Sequence, residues 1–508
     1  MSTVKIGWAK REISSNKPVS SPGQMYQRIS EGIHDPLYVT ALCVDGGEGE
    51  DKIIFISCDI VTPSKGILQP IRDKLKALRP EIPEEGFILS VTHTHSSISL
   101  NGEATQSLDG KEMYPGLKSR EMFCEKAAEA IIEAWDSRKE GGIGYGYGYA
   151  VVAHSRRAVY FKEEKLARNT RQYMTPPGYA VMYGNTNDEL FSHYEAGADH
   201  FLNLLFTFDE AKKLTGVVVN VPCPSQLSEQ FTKLSADYWH DVRVMVAKEF
   251  GEDVFVLPQC AAAGDVSPRV LHYKEAQARR MRLKYGLDYD PAKVFRNNPD
   301  AYNKVMGERY DIAERIVEGI KEVYAWAKKD IRTEVPVRHK VTQMQLERRK
   351  ITEEEAQWCR QNLEELKDKE PKPDGMTGDE YRVALSRYNS MVRRNRGGLE
   401  RAEDVKKNPT LQMQAHTVRI GDVAFATTRF ETYIDFMHRL QARSPFLQTF
   451  VMQMAGTEGG NYLATHRGAE AKGYSASMFC NMVSADGGQQ WVENQLAVLN
   501  ELKAEDEA

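Results

Sequence analysis

An α/β fold, with mixed β-sheets flanked by helices, is what this sequence predicts, and three observations carry the prediction. From the N-terminus to about residue 270, short apolar runs alternate with helical patterns. The runs, among them KIIFISCDI, TGVVVNVPC and DVFVLPQCAAAGDVSP, are apolar enough for a sheet buried on both faces. After residue 410 the strand pattern returns with HTVRIGDVAFATT and TFVMQMAG.

Taken in order, MFCEKAAEAIIEAW and YWHDVRVMVAKEF read as the helices between the first strands, and residues 273 to 330 as further helix. From 351 to about 408 the segments are long, charged and sparse in apolar residues at helical spacing. They predict a helical hairpin, bounded at 340–408, inserted in one domain that spans 1–508. Several strands end in polar or unusual residues, Asp59, His93, Cys223 and Asp265, which places them along one sheet edge.

Composition narrows the function. At 508 residues, 41% apolar and 27% charged, with a mean hydropathy of −0.52, the chain reads as globular rather than disordered or membrane-spanning. With 67 basic and 72 acidic residues and a net charge of −5, neither nucleic acid nor another polyanion is expected as a partner. The seven cysteines are irregularly spaced, which suits a reducing compartment better than a disulfide framework. The first residues, MSTVKIGWAKREISSN, do not look like a signal peptide, so a cytoplasmic location is expected, or a periplasmic or secreted one if a leader was trimmed.

The chemistry centres on FILSVTHTHSSISLNG, where His93 and His95 follow an apolar strand. In a strand, positions i and i+2 share a face, so both histidines can address one metal, or a metal and a substrate. The plainer alternative is a pair of strand-end histidines satisfied by backbone carbonyls.

The blocks GIHDPLYVTALCV, FISCDI, SVTHTHS, SADY, AAAGDVSP, SPF and NYLATH occur in an order that resembles the catalytic domain of neutral, non-lysosomal ceramidases. That resemblance implies a zinc-dependent amidase. His93 takes the place of a zinc ligand and His95 that of the histidine contacting the reacting carbonyl. Glu431, 13 residues before Ser444, takes the place of the carboxylate ligand, with Arg429 and Phe430 replacing the family's proline and glycine. Tyr462 corresponds to the tyrosine ligand, and Tyr474 to a tyrosine lining the site. Cys223 stands where the second zinc histidine is found; a thiolate is a good zinc ligand, and a small buried apolar residue is the alternative. Ser267 maps onto the serine assigned as nucleophile, a role zinc-bound water fills equally well. Arg156, beside Arg157, aligns with an arginine that reaches the substrate.

Asp59 is a candidate to orient a ligand histidine, and Asp237 a similar candidate or a helix cap. Ser97 and Ile98 replace a glycine and proline of the family, and only 46 residues follow Tyr462, too few for the immunoglobulin-like domain those ceramidases carry. The expected activity is hydrolysis of an N-acyl amide with Zn2+. A carbohydrate hydrolase or lyase using His95, Arg156 and the tyrosines is the alternative, for which Trp239, His240 and His466 are suitable aromatic and polar residues, and a non-catalytic binding protein is the third reading. The sequence leaves oligomeric state open.

Overall fold

The computed structural model describes residues 3–161, 173–294 and 298–505. Eight strands form the larger sheet: β1 (Lys5–Glu12), β2 (Tyr38–Asp45), β3 (Lys52–Cys58), β4 (Phe87–Val91), β5 (Lys139–Tyr149), β6 (Phe201–Asp209), β7 (Leu214–Val221) and β8 (Phe255–Cys260). Their order across the sheet is β8-β7-β6-β5-β1-β2-β3-β4. Neighbours pair antiparallel except at the two edges, where β3 with β4 and β7 with β8 are parallel. The edge strands β4 and β8 also approach each other, so the sheet curls and brings its two parallel edges together.

Alternation along each strand sorts side chains onto two faces. Ala41, Cys43, Ile54, Ile56, Leu89 and Val91 point to the helices α1 (Leu68–Leu78) and α2 (Gly116–Asp136). Leu42, Val44, Ile53, Phe55 and Ile88 point the other way, into a core shared with a second sheet. That sheet, in order, is β9 (Val337–Glu347), β10 (Thr410–Ile420), β11 (Val423–Thr428) and β12 (Gln448–Gln453). Phe425 of β11 sits between Phe55 and Phe450, with ring centroids 4.8 and 4.4 Å away.

On the outer faces, α5 (Pro299–Ala327), preceded in the chain by α4 (Lys274–Tyr285), covers β5 and β6, and α3 (Tyr238–Phe250) packs on α5 and β8. Between β9 and β10 the chain leaves the sheet to form α6 (Glu353–Leu366) and α7 (Gly378–Lys407), each opened by a threonine capping box, Thr352 with Glu355 and Thr377 with Glu380. The helices α8 (Ile434–Arg443) and α10 (Ala485–Ala504) pack on the second sheet, and the short α9 (His466–Ala471) lies between them in sequence. Among the described residues no helix is long and apolar enough to cross a membrane.

Phe425 is fully buried between the sheets. Phe425→Ala is expected to lower unfolding free energy by about 3–5 kcal/mol, read as a shifted midpoint with unchanged slope in urea titration.

Candidate functional site

Loops that leave both parallel edges converge on His93 and His95. β4 ends at Val91, and His93 follows with φ of 61° in the left-handed region. Strand alternation therefore does not bring the two histidines together, as the sequence suggests; a turn does, setting the rings edge to face with Nε2 atoms 3.2 Å apart. A non-glycine residue holds such a φ only when its surroundings fix it. Here His93 Nδ1 meets the Val61 carbonyl at 2.5 Å, and the flanking Thr92 carbonyl accepts from Ser225 Oγ at 2.7 Å. Gly23 closes over the other ring, where a Cβ would come within 2.6 Å of His95 Nδ1.

Gln226 settles the tautomer of His95. Its Oε1 accepts from Arg156 Nη1 at 3.0 Å and from the Tyr183 hydroxyl at 3.1 Å, so its amide nitrogen points to His95 Nε2, 2.7 Å away. A donor there makes Nε2 an acceptor and puts the proton of the neutral ring on Nδ1. Nδ1 lies 3.4 Å from Glu229 Oε2, which also accepts from Gln24 at 3.0 Å, while Glu229 Oε1 pairs with Arg269 at 2.6 Å. Burial, helped by His93, pushes the His95 imidazole well below its ordinary value. A neutral imidazole, lone pair inward and carboxylate behind, is the arrangement of a general base.

Arg156 joins this group to the opposite loops. Its side chain is 1% exposed, and Nη2 donates to the Gly264 carbonyl at 2.9 Å and reaches Glu431 Oε2 and the Tyr462 hydroxyl at 3.4 Å each. Glu431 and Tyr462 are aligned across a two-residue parallel pairing of Glu431–Thr432 with Tyr462–Leu463. Glu431 Oε2 also faces His93 Nε2 at 3.4 Å. Burial raises the carboxyl, but His93, Arg156 and Tyr462 outweigh it and hold Glu431 down to about 2. Burial and Glu431 push the Tyr462 phenol well up.

The structure thus gathers His93, His95, Arg156, Glu431 and Tyr462. Tyr474 stands one ring further out, 6.0 Å from Tyr462 between centroids, and accepts from Arg394 at 3.3 Å. Cys223 is fully buried, its Sγ turned to the Val152 carbonyl at 3.4 Å within an apolar cluster, and burial next to Cys260 pushes its thiol well up. Ser267 is buried opposite His154, and its Oγ accepts from the Arg269 amide at 3.2 Å; no base bonds that Oγ among the described residues.

These positions decide how the residues suit Zn2+. Of the expected set, His93, Glu431 and Tyr462 come together and Cys223 does not: its thiol points away, and a guanidinium lies against Glu431 and Tyr462. Among the described residues no three His, Cys, Asp or Glu side chains are disposed to hold a metal. The donors present do not fit that zinc set.

The remaining candidates act elsewhere. Asp59 takes a two-point bond from Arg243, at 2.7 and 3.1 Å, and the carbonyl of Val61 rather than Asp59 orients His93. Asp237 caps α3 and binds Ser228. Trp239 is buried in the core, His240 lines a separate surface cleft, and His466 is exposed beside Asp486. Gln226, Glu229, Arg269, Arg28 and Tyr183 were not singled out by sequence. Gln226 and Glu229 follow Cys223 within PCPSQLSEQ, a polar loop after an edge strand, and that is the signal that points to them.

No protein-family model matches the chain, and no curated protein matches it significantly. Solved structures do. Neutral ceramidase from Pseudomonas aeruginosa superposes with a TM-score of 0.64 at 14% identity, covering 99% of this chain and 75% of that one. A ceramidase complexed with C2 gives 0.64 at 13% identity, with coverage of 99% and 76%. The chain therefore has the ceramidase-like α/β fold that its sequence motifs imply.

Asp265, buried behind Arg156, accepts from the Ile434 amide at 3.0 Å, and burial, with Glu195 and Asp435 nearby, raises its carboxyl to about 7. A carboxyl raised in the folded state favours the protonated form, so its ionisation removes stability as pH climbs from the unfolded value of 3.8 to about 7. Asp265→Asn, which keeps the acceptor, is expected to flatten that fall, by up to about 4 kcal/mol. Urea unfolding at pH 4.5 and 7.5 measures it.

Proposed function

We propose that this protein is an enzyme that cleaves a polar, carboxylate-bearing substrate of the carbohydrate class by proton transfer through His95. What carries the reading is the charge around the two histidines. Three guanidiniums touch them directly or through one shared partner: Arg156, Arg269, and Arg28, which donates to the His95 carbonyl. Among the described residues two carboxylates, Glu229 and Glu431, do so. Arg28 is lowered to about 10 by burial and is still charged at neutral pH. Leaving the imidazoles aside, the shell has one positive charge to spare, and a buried site of that kind favours an anion.

His95 Nε2 takes a proton, either from water that attacks the glycosidic carbon or from the carbon next to a carboxylate in an elimination; as the new C–O bond or C=C double bond forms, the bond to the departing sugar oxygen breaks, and that oxygen leaves as an alcohol with a proton from the imidazolium or from solvent. Glu229 then faces the imidazolium that forms and stabilises it. Arg156 is a positioning residue, since its bonds to Gln226, Glu431 and Tyr462 fix the floor against which the reacting group lies. Arg269, part-exposed and paired to Glu229, is the guanidinium placed to meet substrate charge.

A second reading, hydrolysis of an amide in an N-acyl amphiphile, is favoured by the fold shared with ceramidases and by the grouping of His93, His95, Glu431 and Tyr462. In it His95 activates water and Arg156 offsets charge developing on the carbonyl oxygen.

The test is a panel of uronate-containing oligosaccharides and N-acyl amphiphiles. It follows new reducing ends, ultraviolet absorbance of a new conjugated double bond, and amine release. The expected result is a glycan product, with His95→Asn slower by about 10²–10⁴-fold while remaining folded by circular dichroism. Amine release from an amphiphile with no glycan product would reverse the order of the two readings.

A further inference from the structure

Beside the reaction centre lies a cleft of about 870 Å³ that no site residue discussed so far accounts for, apart from Arg269 on its wall. One side is the loop after Gln226, which contributes Gln230, Phe231 and Lys233; the other is the first turn of α5, which contributes Tyr302. Phe231 and Tyr302 stack with centroids 5.7 Å apart and planes 20° from parallel, and His34 meets both rings edge-on at 5.2 and 6.1 Å. Tyr302 is 46% exposed. The cleft is thus aromatic where Phe231 and Tyr302 bridge its two sides, and it is edged by Arg269, Lys233, Lys304 and the carboxylate of Glu31.

We propose that this cleft binds a second sugar ring of the substrate, next to the ring that reacts at His95; this rests on the carbohydrate reading above. The electron-rich face of an aromatic ring attracts the C–H groups that cover one face of a pyranose. The polar groups around the rim suit its hydroxyls, in the usual pattern of an apolar pocket with a few placed polar groups. A lipid chain has no use for that rim, whereas a sugar uses both parts. The same loop ties the cleft to the chemistry: Arg269 donates to the Gln226 carbonyl at 3.0 Å and pairs with Glu229, and Gln226 and Glu229 face the two nitrogens of His95. A ring seated on Phe231 and Tyr302 therefore lies against residues continuous with the general base, and a substrate of two or more rings spans both.

Calorimetric titration tests this with two probes, methyl glucuronide and a trisaccharide ending in glucuronate, in the His95→Asn background, whose slowed turnover leaves binding to be read. The expected result is trisaccharide binding at least about tenfold tighter than the monosaccharide, with Tyr302→Ala removing that gain, Tyr302→Trp keeping it, and the monosaccharide unaffected by either. A gain that survives Tyr302→Ala and Phe231→Ala overturns the subsite and leaves the carbohydrate reading standing. Failure of both probes to bind, with an N-acyl amphiphile bound instead, overturns the two together.

Discussion

The reaction centre depends on one buried guanidinium. Arg156 bonds to Gln226, Gly264, Glu431 and Tyr462, side chains and backbone from four distant parts of the sequence. Burying a charge without partners costs far more than a domain can spare, so these bonds are a condition of folding as well as of geometry. Through Gln226 the guanidinium fixes which nitrogen of His95 accepts a proton; through Glu431 it fixes the neighbour of His93. The acid–base state of the site is set by how one cation is shared.

The fold makes that sharing possible. Parallel pairs at both edges of the large sheet point β4 and β8 the same way as their neighbours, and the curl of the sheet brings the loops beyond them together. Open α/β sheets bind ligands at this end of their strands. His93 and Tyr183 both have φ near +60° and lie at the centre, so the loops there hold conformations the packed sheets impose on them.

Much of this was legible in the sequence, and the exceptions have physical causes. The apolar runs gave β3, β4, β7 and β8 because strands buried on both faces are apolar throughout. The strand β5, KEGGIGYGYGY, carries no such run: glycine alternates along it to admit α5, and a Cβ on Gly146 would stand 2.1 Å from the Trp326 ring. The motif order located His93, His95, Glu431 and Tyr462, which the structure brings together. It also put Cys223 in line as a ligand, and that could not be judged from chain order, since whether a thiol at a strand end turns toward the site or the core is decided by the packing of Val152, Cys260 and Tyr238 around it. Glu229 and Arg269 escaped because each acts through a partner far away in sequence.

We propose that the Arg156 guanidinium, in place of a metal held by His93, Cys223, Glu431 and Tyr462, supplies the positive charge at this centre. The most direct test of this is zinc stoichiometry, by elemental analysis and calorimetric titration of the purified chain, beside His93→Ala and Cys223→Ala. Far less than one zinc per chain as purified, no saturable uptake, and no difference between the variants and the wild type are expected. One tightly bound zinc per chain, lost in both variants, would contradict it.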